Sequence, residues 1–182
     1  MSTKDVVYVA LFAALTAALA LFPPVTMPVA GVPITAQSMG AMLAGSILGA
    51  RRGALSQGLF LVLVAAGLPL LAGGRGGFGV FLGPTGGFLV GWVVAAFVIG
   101  WLVERYWDRI GVIGFVGANL LGGVVVLYAI GIPWVAQVAG LTLWQATAGS
   151  AVFIPGDLVK AGLTAVIAVA VRRSYPLIAR NA

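Results

Sequence analysis

The sequence contains no cysteine and no histidine. Disulfides, thiol nucleophiles, imidazole bases and the commonest metal ligands are therefore absent, and most familiar enzyme mechanisms go with them. Charge is scarce as well: Asp, Glu, Lys and Arg make up 8% of 182 residues, against roughly 25% in a soluble domain. The four acids are Asp5, Glu104, Asp108 and Asp157, and they form neither a catalytic dyad nor part of a Ser-His-Asp set. A phosphate loop of the G-x-x-x-x-G-K-S/T type is missing, which argues against ATP hydrolysis within the chain. No polar stretch is long enough to be a linker or a second soluble unit, so residues 1–182 read as one domain.

What is present is oil and glycine. Hydrophobic residues are 62% of the chain, there are 27 glycines, and the mean hydropathy is +1.14. That composition belongs to an integral membrane protein. The net charge of +6 and pI near 10.6 would suggest nucleic acid in a soluble protein. Here the basic residues flank apolar runs and report orientation in a bilayer, so no nucleic-acid partner is expected. The run from Val6 to Phe22 is longer than a usual signal core and reads as a first helix, although Ala18-Leu19-Ala20 has the look of a cleavage site.

Six segments approach the roughly 20 residues needed to cross about 30 Å of hydrocarbon: 5–22, 36–50, 54–72, 86–103, 110–132 and 150–171. The expected architecture is all-α, a bundle of six transmembrane helices. With a cytoplasmic N-terminus, six crossings place Lys4, Arg51, Arg52, Arg105, Arg109, Arg172, Arg173 and Arg180 inside, and Arg75 alone outside. Both termini are then cytoplasmic. "ARRG" (Ala50–Gly53) reads as a tight inner turn, with Gly53 letting the chain reverse.

The outer connections are long and nearly uncharged. Pro23 to Thr35 lies in a stretch of 14 residues with four prolines, and Gly73 to Thr85 in one of 17 residues with eight glycines. The third, Ile132 to Gly149, holds Leu141 to Ala148 as a candidate interfacial helix, with Trp134 and Trp144 as anchors. Such loops can fold back over a bundle and close a cavity. Small residues at spacing four mark packing faces: Ala10, Ala14 and Ala18 with Ala13 and Ala17 beside them, Gly45 with Gly49, and Gly83, Gly87 and Gly91. The first of these could instead receive a separate partner.

Asp157 and Lys160 sit where charge is costly. Counted back from Arg172 they lie 15 and 12 residues up the last helix, about 22 and 18 Å from the inner boundary. Spacing i to i+3 puts them on one face and lets them pair, and Pro155-Gly156 suits a helix start that would favour the carboxylate. Two readings stand: a self-neutralising pair that fixes packing, or the polar floor of an outward-facing pocket. Arg75 could meet an anionic ligand or merely be solvated. Gln37 and Thr85 are further polar candidates, whereas Asn119 between Gly117 and Gly122 reads as an interhelical hydrogen bond.

Three stretches taken together resemble a known family: "GARRG" after the second helix, "GLPLLAGGRGGFGVFLGPTGGFLVGW" between the third and fourth, and "FIPGDLVKA" opening the sixth. They are similar to the BioY family, the biotin-binding membrane subunits (S components) of energy-coupling factor vitamin transporters, along essentially the whole chain. The resemblance implies a six-helix bundle in the bacterial cell membrane, the inner membrane where there are two, that takes its vitamin from outside under the outer loops. It implies biotin as substrate, with Asp157 and Lys160 at its polar head; Arg75, Gln37 and Thr85 are candidate substrate-binding residues from their own positions and not from the motif. It also implies that Ala10, Ala14 and Ala18 dock a transmembrane coupling subunit linked to a pair of ATPases. No cofactor, metal or catalytic residue is called for, and homo-oligomers are compatible with the pattern. The rival readings are an S component for another small vitamin, an intramembrane enzyme and a structural membrane protein.

Overall fold

In a computed structural model of the chain, residues 1–25 and 32–178 are described. Part of the proline-rich loop expected on the outer side (26–31) and Arg180 lie outside them. Among the described residues regular structure is helical, apart from two isolated backbone pairs, Val25 with Ile34 and Leu71 with Arg75. The first helix, α1 (Thr3–Ala18), starts at a capping box: Ser2 Oγ accepts from Asp5 N, and the Asp5 carboxylate accepts from Ser2 N. Two of the orphan amides of the helix start are thereby satisfied. A short 3₁₀ turn (Leu19–Leu21) ends it.

α2 (Ser38–Leu48) is only 11 residues long, and every residue from Gly40 to Leu48 is buried. A helix apolar on all sides belongs at the centre of a bundle. α2 takes that place, packed among α1, α3 (Ala50–Ala65), α5 (Gly86–Arg105) and α9 (Ile154–Ser174). A four-residue α4 (Gly79–Leu82) precedes α5. α6 (Val112–Leu120), a π-helical segment (Leu121–Val126) and α7 (Leu127–Ala139) form one continuous run, as do α8 (Leu143–Ser150), a 3₁₀ turn and α9. Four runs are long and apolar enough to cross a membrane: Thr3–Leu21, Gly86–Arg105, Val112–Ala139 and Leu143–Ser174.

Three sequence expectations are corrected here. The reversal between α2 and α3 occurs at Gly49, in the left-handed region at φ 85°, and Ala50 to Gly53 already belong to α3. Gly49 leaves room for the Glu104 carboxylate, whose Oε1 accepts from Ala50 N at 2.9 Å and caps the start of α3. Gly53 is small because α2 passes against it at Ala44. Arg52 explains one of the paired cations. Its Nε donates to Leu48 O at 3.0 Å at the end of α2, and its Nη atoms reach Asp5 and Leu177 O at 3.4 and 2.6 Å. Arg51 is exposed.

The fifth apolar segment does not stop at residue 132. α7 continues through Pro133 to Ala139, so the connection expected over Ile132 to Gly149 shrinks to Gly140 to Thr142. Trp134 is therefore part of a helix and not a loop anchor. Its indole lies over Gly87, and its Nε1 donates to Gly83 O at 2.9 Å. α8 carries exposed Leu143 and Trp144, close to the short helix expected there.

Hydropathy could not foresee the π segment. Phe115, Asn119, Gly123, Leu127, Gly131 and Val135 are buried at spacing four, with Ala118 and Gly122 buried beside them. In an ideal α-helix that repeat drifts about 40° per step, or about 200° over five steps. The wider π turn absorbs roughly half of the drift, so both ends of the run face the core.

The small residues of α5 and α7 allow close approach: Gly87 meets Trp134, Gly91 meets Leu127, and Gly131 meets Phe88. Replacing Gly87 with valine drives a side chain into the Trp134 ring. Overpacking of this kind costs about 1–3 kcal/mol, and a melting temperature several degrees lower in detergent is expected. An unchanged melting temperature would mean that the α5–α7 contact is not tight.

Candidate ligand site

Asp157 stands in the first turn of α9, and Lys160 one turn further along. Lys160 Nζ donates to Asp157 Oδ1 at 2.9 Å and to Ser38 Oγ, at the start of α2, also at 2.9 Å. The Tyr128 hydroxyl, from the beginning of α7, donates to Asp157 Oδ2 at 2.6 Å. The carboxylate is 4% exposed as a residue, so the pair is held largely out of solvent. Each charge is matched and hydrogen-bonded, the condition under which buried ions are tolerated.

These groups border a cavity. It is narrow, about 60 Å³ in volume, so it is a slot. Small-molecule sites combine apolar walls with a few placed polar groups. Phe88, Leu89 and Trp92 of α5, Leu127 of α7, Phe153 and Leu71 provide the apolar walls. Phe88 is edge-on to both Tyr128 and Phe153, at 6.0 and 6.1 Å between centroids, which fixes the wall.

All five polar residues singled out in the sequence line this one cavity: Asp157, Lys160, Arg75, Gln37 and Thr85. Their settings differ. Gln37 is 1% exposed and its amide makes three hydrogen bonds to backbone groups. Its Nε2 donates to Thr16 O and Leu70 O at 3.1 and 3.0 Å, and its Oε1 accepts from Ala72 N at 2.8 Å. It ties α1 to the loop after α3, and supports the wall around Leu71. Thr85 Oγ1 donates to Val80 O at 3.3 Å and ties α4 to the start of α5. Arg75 donates through Nε to Ala72 O at 3.2 Å, which leaves its terminal nitrogens for the half-buried mouth. Gly73 and Gly74, at φ 79° and 68°, turn the chain so that Leu71 and Arg75 exchange backbone hydrogen bonds.

Sequence reasoning missed Tyr128 and Ser38. A lone tyrosine inside "GGVVVLYAIGI" was the available signal, since a phenol in an apolar run needs a partner. Asn119 is an interhelical link, as expected: Nδ2 donates to Ser46 Oγ at 3.0 Å and to Phe115 O at 2.8 Å. On α1, Ala13 and Thr16 are buried while Ala10, Ala14 and Ala18 are exposed, so the small-residue stripe is left uncovered on the outer face of the bundle.

A multi-pass helical membrane protein enclosing a small-molecule slot, with an internal ion pair at its wall, is the class that fold and site define. The sequence profile of the BioY family matches residues 1–177, and this chain belongs to that family. The chain is 51% identical over 187 residues to "Biotin transporter BioY" of Rhizobium etli, with 100% of each chain covered. It is 49% identical over 190 residues to the protein of the same name from Rhodobacter capsulatus, covering 98% of this chain and 99% of the other. A crystal structure described as the S-component for biotin from an ECF-type ABC transporter superposes with a TM-score of 0.92 at 34% identity, covering 97% of each chain.

Proposed function

We propose that this chain is the biotin-capturing S component of an energy-coupling factor type vitamin importer, and not an enzyme. The cavity on the Asp157–Lys160 pair carries the reading. It sits in a chain with full-length relatives that are biotin transporters at about half identity. Biotin's ureido ring offers N–H donors and a carbonyl acceptor, complementary to a carboxylate beside an ammonium. Its bicycle and aliphatic chain need the aromatic and aliphatic walls described above. In this reading Asp157 accepts from the ureido N–H, Lys160 donates to the ureido carbonyl, and the free Nη atoms of Arg75 meet the carboxylate tail. Gln37 and Thr85 hold the walls in place.

The chain is one domain over 1–182 and crosses the membrane six times. α2 and α3 are the two short crossings beside the four long runs, both termini are cytoplasmic, and the slot opens outward. The basic residues at the Gly49 turn, at Arg105 and Arg109, and at Arg172 and Arg173 support this orientation. Energy is supplied by a coupling subunit bound at Ala10, Ala14 and Ala18 and by an ATPase pair behind it. The test is calorimetric titration of the detergent-solubilised protein with biotin, with riboflavin and thiamine as controls. Saturable binding near one biotin per chain is expected, without heat from the controls. Saturable binding of a control vitamin with none of biotin would overturn the assignment.

A further inference from the structure

Tyr128 is a polar group of the slot that the biotin reading leaves without a task. Its hydroxyl is 2.6 Å from Asp157 Oδ2, while Lys160 holds Oδ1 at 2.9 Å. The two donors come from different elements, α7 and α9, and grip opposite oxygens of one carboxylate. A carboxylate offers about four acceptor positions on two oxygens. With one position on each oxygen occupied, the carboxylate cannot rotate about its Cβ–Cγ bond without breaking a charge-assisted hydrogen bond. The remaining acceptor positions therefore keep one orientation in the slot.

The ring is locked too. It stands edge-on to Phe88 at an interplanar angle of 85°, and Gly131, one turn on, admits Phe88 against α7. The π segment immediately before α7 keeps this part of the run turned toward the core, where an unbroken α-helix would carry it away. We propose that Tyr128 is a positioning residue for ligand recognition: it orients Asp157 so that the carboxylate accepts from an N–H of a flat, neutral cyclic urea. This rests on the biotin reading above.

The test is a double-mutant cycle on the full chain in detergent. Biotin affinity is measured for the unmodified protein, Tyr128→Phe, Asp157→Asn and the double variant, using calorimetry for the tight forms and thermal shift at millimolar biotin for the weak ones. Phenylalanine keeps the contact with Phe88 and Lys160 still pairs the carboxylate, so the variant should fold, with a melting temperature without ligand lowered by a few degrees for the lost hydrogen bond to Asp157. Tyr128→Phe should weaken biotin binding about tenfold, the scale of one hydrogen bond to a charged group, and should add less than about twofold once Asp157 is already asparagine. An unchanged affinity in Tyr128→Phe would overturn the inference. So would a full tenfold effect in the Asp157→Asn background, which would mean that the phenol acts independently of the carboxylate. If the unmodified protein fails to bind biotin at all, it is the functional reading that falls, which separates the two.

Discussion

Exchanging Asp157 for asparagine and Lys160 for methionine in one protein is expected to leave the bundle folded and to lower biotin affinity at least about a hundredfold. The magnitude follows from losing two hydrogen bonds that involve charged groups, each worth roughly 1.5–3 kcal/mol. The double exchange is more informative than either single one. Removing Lys160 alone leaves a carboxylate in a residue 4% exposed with only the Tyr128 hydroxyl to compensate it. Breaking a buried pair in this way costs about 3–5 kcal/mol, so lost binding could simply be lost fold. Removing both charges at similar volume is often close to neutral for stability. A packing device and a binding site then give opposite results. If the pair only fixes the helices, the double variant recovers stability and binding together. If it recognises biotin, stability returns and binding does not. Melting temperature and biotin titration of the same samples decide between them, and a double variant with unimpaired affinity would remove both residues from the site.

The second large effect is expected far from the slot. Leucine at Ala14 should leave biotin binding in detergent unchanged and should suppress biotin uptake by cells that also carry the coupling subunit and the ATPases. Ala10, Ala14 and Ala18 are exposed on the outer face of α1, whereas Ala13 and Thr16 are buried on its inner face. Helices approach closely through small residues in a membrane because neither water nor polarity drives them together there, leaving van der Waals contact to do so. A branched side chain in the middle of such a stripe separates the backbones. Disrupting a central interface position costs about 2 kcal/mol or more, roughly thirtyfold in assembly. Co-purification of the coupling subunit measures assembly, and retention of biotin on the isolated chain measures binding. Loss of binding with assembly intact would reverse the division of labour between the two faces of α1.

Much of the candidate site was legible because its central pair is local. Asp157 and Lys160 are three residues apart on one helix, so helical geometry alone brings them together, and their depth follows from a count to Arg172. The loop residues Arg75 and Thr85 were found from composition, because a glycine-rich outer stretch has few polar groups to choose from. Gln37, expected as a substrate-binding candidate, lines the cavity, and three backbone groups hold its amide there. Nothing within a few residues of Gln37 in sequence indicates Thr16, Leu70 or Ala72 as those partners.

The chain reversal near the paired arginines shows the same limit. Gly49 and Gly53 stand on either side of Ala50, Arg51 and Arg52, and either could turn the chain. The choice falls on Gly49 because Glu104, from a helix more than fifty residues later, caps Ala50 there, while Gly53 is required to be small against Ala44. The basic pair marks the same end of the helices in both readings, since charge at a membrane boundary depends on position along the chain alone.

Composition and periodicity by themselves determined that this is a helical membrane protein, which ends of its helices carry positive charge, and that one ion pair lies deep in the apolar region. These follow from the transfer cost of single residues and the rise of a helix, both local quantities. Only the tertiary structure decided that Tyr128 and Ser38 complete the pair, that Trp134 packs on Gly87, and that a π segment turns α7 inward. Those contacts span 29 residues from Tyr128 to Asp157 and 122 from Ser38 to Lys160. Chain connectivity does not specify such pairings; they are selected when the helices pack and each buried polar group must find its partner.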